Sequence, residues 1–270
     1  MYLDNFLYVK YIDTPAWVIC IFAVSLSIII ALLGLAGFRK LFKNALNKAN
    51  NDFISLSVST VGLFSSVLIS LIVVNTWTFY TGVEQIVNQE AHAVEDFYRS
   101  AQGMPEPTQS ILIDDVTKYI EVVIKEEWPE MNANKTVSDK GREILMHSNR
   151  VLNQFKTHDP IIANIHSKLL SQLSTLFDAR RDRLLSTKSH VPGVIWLVLF
   201  VSAFLTIAVS YFYTAETFAM HMVVTGFITA SLSATLILIV IFAHPYQGSL
   251  RIEPETFMNF LEQNALSLKN

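Results

Sequence analysis

The sequence predicts an all-α membrane protein, with four transmembrane helices in two hairpins flanking a helical soluble domain. Three observations predict it. The 270 residues are 51% hydrophobic and only 16% charged, with a mean hydropathy of +0.39, whereas soluble chains carry about a quarter charged residues. The apolar residues fall in two blocks, 15–80 and 191–243, separated by a polar one. No charged residue occurs between Asp13 and Arg39, Asp52 and Glu84, Lys188 and Glu216, or Glu216 and Arg251. Each gap exceeds the roughly 20 residues a helix needs to cross a bilayer. An ordinary soluble enzyme, a disordered chain and a disulfide scaffold are excluded, the last because Cys20 has no intramolecular partner. A net charge of −3 gives no reason to expect a nucleic-acid partner.

The chain divides into an N-terminal interfacial segment with helices 1 and 2 (1–80), a soluble helical bundle continuing from helix 2 (81–190), helices 3 and 4 (191–245) and a tail (246–270). Residues 1–12 alternate aromatics (Tyr2, Phe6, Tyr8, Tyr11) with polar residues, which suits a segment lying at the headgroups. A cleaved signal peptide is not expected, since Asp4 and Asp13 replace a basic n-region. Thr14-Pro15 opens the first span, 16–38. The second runs from 53 to 80 and has no stop at the membrane edge. Helix formers carry it to about Gln102, where Gly103 and Pro105 break it. The third follows Val191-Pro192-Gly193 and ends at the interfacial aromatics Tyr211, Phe212 and Tyr213. The fourth follows Glu216 and stops at His244-Pro245.

In the central block, Ile111, Val116, Tyr119, Ile120 and Val123 predict a helix over 108–127 that Trp128-Pro129 stops. Residues 130–139 read as a loop. Two helices follow, divided by Asp159-Pro160, with apolar positions Ile144, Val151 and Phe155 on one and Ile162, Ile165, Leu169, Leu173 and Leu176 on the other. Pro254 opens an amphipathic helix that buries Phe257, Phe260 and Leu261.

The second span holds the clearest pattern. Ser55, Ser59, Gly62, Ser66, Ile69 and Val73 recur at alternating spacings of four and three, so they share one stripe. Two readings fit: close packing of small residues against a neighbouring helix, or a pore wall with a hydroxylated mouth and a constriction at Ile69 and Val73. Asn75 is suited to a hydrogen bond across helices, and His221 and Glu216 to the interface at the start of the fourth span. His92, Glu95, Asp96 and Arg99 form a solvated or paired helix face, because one helix supplies too few metal ligands. Glu126 and Glu127 face a basic cluster of Arg180, Arg181 and Arg183, which suits pairing within the bundle, contacts between subunits, or contact with a permeating ion. No phosphate loop, dinucleotide fingerprint or nucleophile motif is present. Enzyme activity, a cofactor and a metal are not expected.

The order of these segments resembles the bestrophin-like domain family of bacterial and plant membrane proteins. The resemblance rests on Asn51-Asp52-Phe53, Asn75-Thr76-Trp77-Thr78, Glu90-Ala91, Phe97-Tyr98, Tyr119, Glu127-Trp128-Pro129-Glu130-Met131, Arg180-Arg181-Asp182-Arg183-Leu184 and His244-Pro245-Tyr246-Gln247-Gly248. In layout the chain is similar to the bestrophins, pentameric anion channels whose second span lines the pore and whose helical domain is cytosolic. It lacks a counterpart of their calcium-binding acidic cluster. The resemblance implies a homo-oligomeric, pentameric, anion-conducting channel in a bacterial inner membrane, whose partners are the lipid bilayer and permeant ions. It also implies a cytoplasmic central block. The basic residues Arg39, Lys40, Lys43 and Lys48 of the first loop argue for the opposite orientation. The alternative function is a membrane sensor or scaffold whose helical domain binds a ligand or partner.

Overall fold

The computed structural model describes residues 15–42, 51–188 and 191–267. The segment expected at the headgroups, 1–12, lies outside them, as do Lys43 and Lys48. The described residues form helices and no strand. They are α1 (Ala16–Leu41), α2 (Asn51–Ala101), α3 (Thr108–Val122), a π-helical turn (Val123–Glu127), α4 (Trp128–Asn132), α5 (Lys140–Gln154), α6 (Pro160–Leu185), α7 (Gly193–Ser210), α8 (Phe218–Phe242) and α9 (Glu255–Ser267). Four of these, α1, α2, α7 and α8, are long and apolar enough to cross a membrane. The chain is a membrane protein. Its fold clusters into two compact units. One holds α1, the first part of α2, α7, α8 and Gly248–Leu250; the other holds Thr81–Lys188, Pro245–Gln247 and the chain from Arg251 on. Residues 80 and 81 lie within α2, which is unbroken there.

The membrane unit leaves Trp17, Phe22, Leu33, Phe64, Phe204 and Phe227 more than half exposed. In water such surfaces would be costly, whereas hydrocarbon solvates them. Its interior is held by small and hydroxylated contacts rather than by a large apolar core. Ser65 and Thr206 hydroxyls lie 2.9 Å apart, and Ser202 Oγ donates to Ser65 Oγ at 2.7 Å, joining α2 to α7. Ile69, Leu199 and Ile239 form the buried apolar contact of α2, α7 and α8. The Tyr211 hydroxyl donates to the Ala31 carbonyl, and a Cβ at Gly34 would come within 2.7 Å of that hydroxyl oxygen, so glycine permits the close approach. Asn51 clamps the α7–α8 connection, giving Nδ2–H to the Thr214 carbonyl and accepting from the Thr214 N–H.

In the second unit the apolar stripe of α2 is Val83, Val87, Glu90, Val94, Phe97 and Ala101, all buried. The helix predicted to stop at Trp128-Pro129 does not stop. The Trp128 N–H bonds to the Val123 carbonyl five residues back, and this wider turn delivers Pro129 to the first turn of α4, where no intrahelical donor is required. The same turn buries the consecutive residues Glu127 and Trp128 together. On α5 the buried positions are Gly141, Leu145, Ser148 and Leu152. Ile144 and Val151, the stripe expected from the sequence, are only half-buried. On α6, Asp159 caps the helix by accepting from the Ile161 N–H at 2.8 Å. Its buried stripe reads Leu169, Leu173, Leu176, Arg180, Arg183. α9 seats Phe257 against Trp128 at 6.0 Å between ring centroids.

Candidate functional site

Two arrangements stand out, one in each unit. In the second unit four charged side chains meet in the core. Glu90, Glu127 and Arg183 are wholly buried and Arg180 nearly so. Arg183 Nε donates to Glu90 Oε2 at 2.5 Å, and its Nη2 donates to Glu90 Oε1 at 3.1 Å and to Glu127 Oε2 at 2.5 Å. Arg180 gives Nη2–H to Glu127 Oε1 at 2.8 Å and to the Ser138 carbonyl at 3.3 Å. The Tyr119 hydroxyl donates to Glu90 Oε1 at 2.5 Å. The Arg183 guanidinium also lies 5.3 Å from the Trp128 ring centroid, and the Trp128 indole N–H donates to the Ile252 carbonyl. Two acids and two bases give the cluster zero formal charge, and planar guanidinium forks match the carboxylates. Burial alone would lower the Arg183 pKa, but Glu90, Tyr119 and Glu127 together outweigh it and hold the group well above its ordinary value. Burial, reinforced by Glu90, pushes the Tyr119 hydroxyl well above the usual tyrosine range. Tyr246, whose hydroxyl lies 2.9 Å from Ser186 Oγ, is pushed up by burial to about 12. Gly141 is the floor of the cluster. A Cβ there would collide with the Glu127 carboxylate and approach Arg180 Nε to 3.2 Å.

Of the basic and acidic residues singled out in the sequence, Arg180, Arg183 and Glu127 are therefore paired within one chain. Arg181 is exposed, and Glu126 is half-buried at the surface, where it pairs with Lys140 at 2.6 Å. Glu90 and Tyr119 complete the cluster and are not among the charged residues singled out in the sequence. Their signal was available: Glu90 falls in phase with the apolar stripe of α2, as Arg180 and Arg183 do on α6. His92 and Asp96 are exposed on the α2 surface, and Arg99 pairs with Glu95 at 2.5 Å. Asp115 is also buried, accepting from Ser148 Oγ and lying 2.8 Å from His147 Nδ1. No cluster of three metal-ligating side chains occurs among the described residues.

The second arrangement is the α2 stripe. Ser55, Ser59 and Ser66 are exposed and Gly62 is half-buried with open space around it. Ile69 is 3% exposed, packed between Leu199 and Ile239 within its own chain, with Val73 half-buried against the same cluster. The stripe crosses from the packed face of α2 to its open face. The fully open face, one step round the helix, carries Ser59, Leu63, Ser66, Ser70 and Val74. Ser66 and Ser70 hydroxyls donate to the Leu63 and Ser66 carbonyls. Asn75 is exposed. His221, in the first turns of α8, is buried, with Nε2 3.0 Å from the Ser210 carbonyl oxygen.

Comparison with known proteins fits this architecture. Two crystal structures of a bacterial bestrophin homologue from Klebsiella pneumoniae, each with a single substitution, superpose with TM-scores of 0.69 and 0.67 at 12% and 13% identity. They cover 92% and 93% of this chain and 99% of theirs. A further crystal structure, of a membrane protein, gives a TM-score of 0.65 at 14% identity over 92% of this chain and 97% of its own. These likenesses show a shared fold. None of the curated proteins compared matches the chain significantly. The bestrophin-like domain, as a sequence family, matches residues 25–257, most of the chain. The chain belongs to the bestrophin-like family.

Proposed function

We propose that the protein is one subunit of a homo-oligomeric, pentameric, anion-conducting channel whose pore is lined by α2. The observation that carries the reading is the open face of α2. One side of the helix is packed on α7 and α8, the other keeps Ser66 and Ser70 exposed between apolar residues, and Ser55 and Ser59 are exposed at the edge between the two sides. A helix facing only lipid gains nothing from a row of hydroxyls, whereas a water-filled lumen solvates them. Family membership and the bestrophin fold support the same reading. Ser55, Ser59, Gly62 and Ser66 line the mouth. The apolar narrowing falls to Leu63 and Val74 in place of Ile69, because both are 63% exposed and share a face with the serines. Hydrophobic narrowings of this kind gate by dewetting. The helical unit faces the cytoplasm of a bacterial inner membrane, and no enzymatic step is assigned.

The test is current across a planar bilayer containing the purified chain under a potassium chloride gradient. The expected reversal potential lies near that of chloride, and Val74→Ser raises the conductance. A reversal potential near that of potassium removes the anion assignment. Absence of current at every voltage, together with a monomer or dimer in lipid discs, removes the channel and leaves the sensor or scaffold.

A further inference from the structure

The membrane unit forms an open pocket of about 210 Å³. Its polar lining comes from Ser55 and Ser59 of α2, Ser210 and Tyr213 at the end of α7, and His221 and Thr225 of α8, with aliphatic side chains completing the wall. His221 is 2% exposed and Thr225 wholly buried, yet His221 Nδ1 and Thr225 Oγ1 have no hydrogen-bond partner. Buried polar atoms are nearly always partnered, so two bare ones lining the same cavity point to an occupant.

The chemistry of the occupant follows from the hydrogen-bond roles. The Ser210 carbonyl can only accept, so His221 Nε2 carries a hydrogen and donates to it. Nδ1 then offers a lone pair when the ring is neutral and an N–H when it is charged. The surroundings favour a negative guest. From α1, the Arg39 guanidinium lies 4.9 Å from the centroid of Phe218, one turn ahead of His221, and the N-terminal turn of α8 begins there at the Thr217 cap. α2 contributes uncharged Ser55 and Ser59, with Asp52 exposed a turn away. The α7–α8 connection brings the Tyr213 ring, 6.4 Å from the imidazole between centroids, and the exposed Glu216. The Tyr211 hydroxyl is already committed to Ala31. No carboxylate lines the cavity among the described residues.

We propose that this cavity binds a small monovalent anion together with one proton, the proton sitting on His221 Nδ1. The Nδ1–H and the hydroxyls of Thr225, Ser55 and Ser59 then donate to the anion. In the neutral ring the Nδ1 lone pair faces the anion and expels it. The volume admits a halide or a short carboxylate. The inference goes beyond conduction: a chain that binds but passes no current overturns only the channel reading.

The test is ¹⁵N-histidine NMR of the full chain in lipid discs, with the His221 signal assigned by its absence in His221→Gln. The pH midpoint of Nδ1 protonation is read while sodium bromide or sodium formate is raised from 1 to about 100 mM at constant ionic strength. Bromide or formate should move the midpoint upward, approaching one pH unit per tenfold rise in the anion once the site begins to fill. Thr225→Val, nearly the same shape, should weaken the response several-fold. A shift with bromide alone assigns halides, and a shift with formate alone assigns carboxylates. A midpoint independent of anion, or an undiminished response in Thr225→Val, would overturn the proposal.

Discussion

Replacing Arg183 by methionine tests whether the buried charge cluster holds the second unit together. Arg183 makes two hydrogen bonds to Glu90 and one to Glu127, all fully buried. Methionine fills much of the volume but leaves two carboxylates against the single Arg180, a net charge of −1 in the core. Breaking one partner of a buried pair costs about 3–5 kcal/mol, chiefly through the charge left unpaired. For a unit of this size, about 2–4 °C per kcal/mol gives a melting point lowered by roughly 6–20 °C. The second arm is Glu90→Gln with Arg183→Met. It restores neutrality, because Glu127 keeps Arg180. The double variant should therefore recover about 2 kcal/mol relative to Arg183→Met. The assay is thermal unfolding in lipid discs, with hydrogen exchange on α6 separating the second unit from the membrane unit. A single variant melting within about 1 kcal/mol of the parent, or a double variant no better than the single, would refute the claim that uncompensated charge sets the cost.

Three further outcomes are expected. Gly141→Ala should destabilise by about 1–3 kcal/mol, because its Cβ collides with the Glu127 carboxylate, while alanine at the open Gly62 should not; melting points compare them. Tyr246 has a folded pKa raised to about 12, so the folded state holds its proton longer than the unfolded chain does. Its stabilisation is present below pH 10 and is lost between pH 10 and about 12. The loss amounts to roughly 3 kcal/mol from the shift, and Tyr246→Phe should flatten that part of the stability curve. Asn51→Ala removes both hydrogen bonds to Thr214 and should cost about 1–2 kcal/mol, read as faster exchange at the α7–α8 connection.

Four spans were legible because membrane insertion is a one-dimensional criterion of length, apolarity and charge gaps, and these leave their mark on any chain. The helices of the second unit were legible from periodicity, and Asp159-Pro160 marked a boundary that the structure keeps. The end of α3 was misread because a proline after tryptophan stops an ordinary α-helix. The π turn removes the need for the missing N–H, and it forms where Glu127 and Trp128 must both face inward. On α5, Ile144 and Val151 had the right spacing, but Gly141, against the Glu127 carboxylate, and Ser148, donating to Asp115, occupy the buried positions.

By itself the sequence determined that this chain crosses a membrane four times, that its regular structure is helical, and that its charges cluster on two segments. It also placed the serines, Gly62, Ile69 and Val73 of α2 on one stripe. Only the tertiary structure decided which side of that stripe is open and that Ile69 belongs to the interior. It likewise decided that Arg180 and Arg183 neutralise Glu90 and Glu127 instead of facing solvent, and that His221 borders a cavity. Spacing along one helix fixes which residues share a face. What that face meets depends on the other helices, whose approach is set by packing contacts far apart in sequence, such as Ser65 with Thr206 and Glu90 with Arg183.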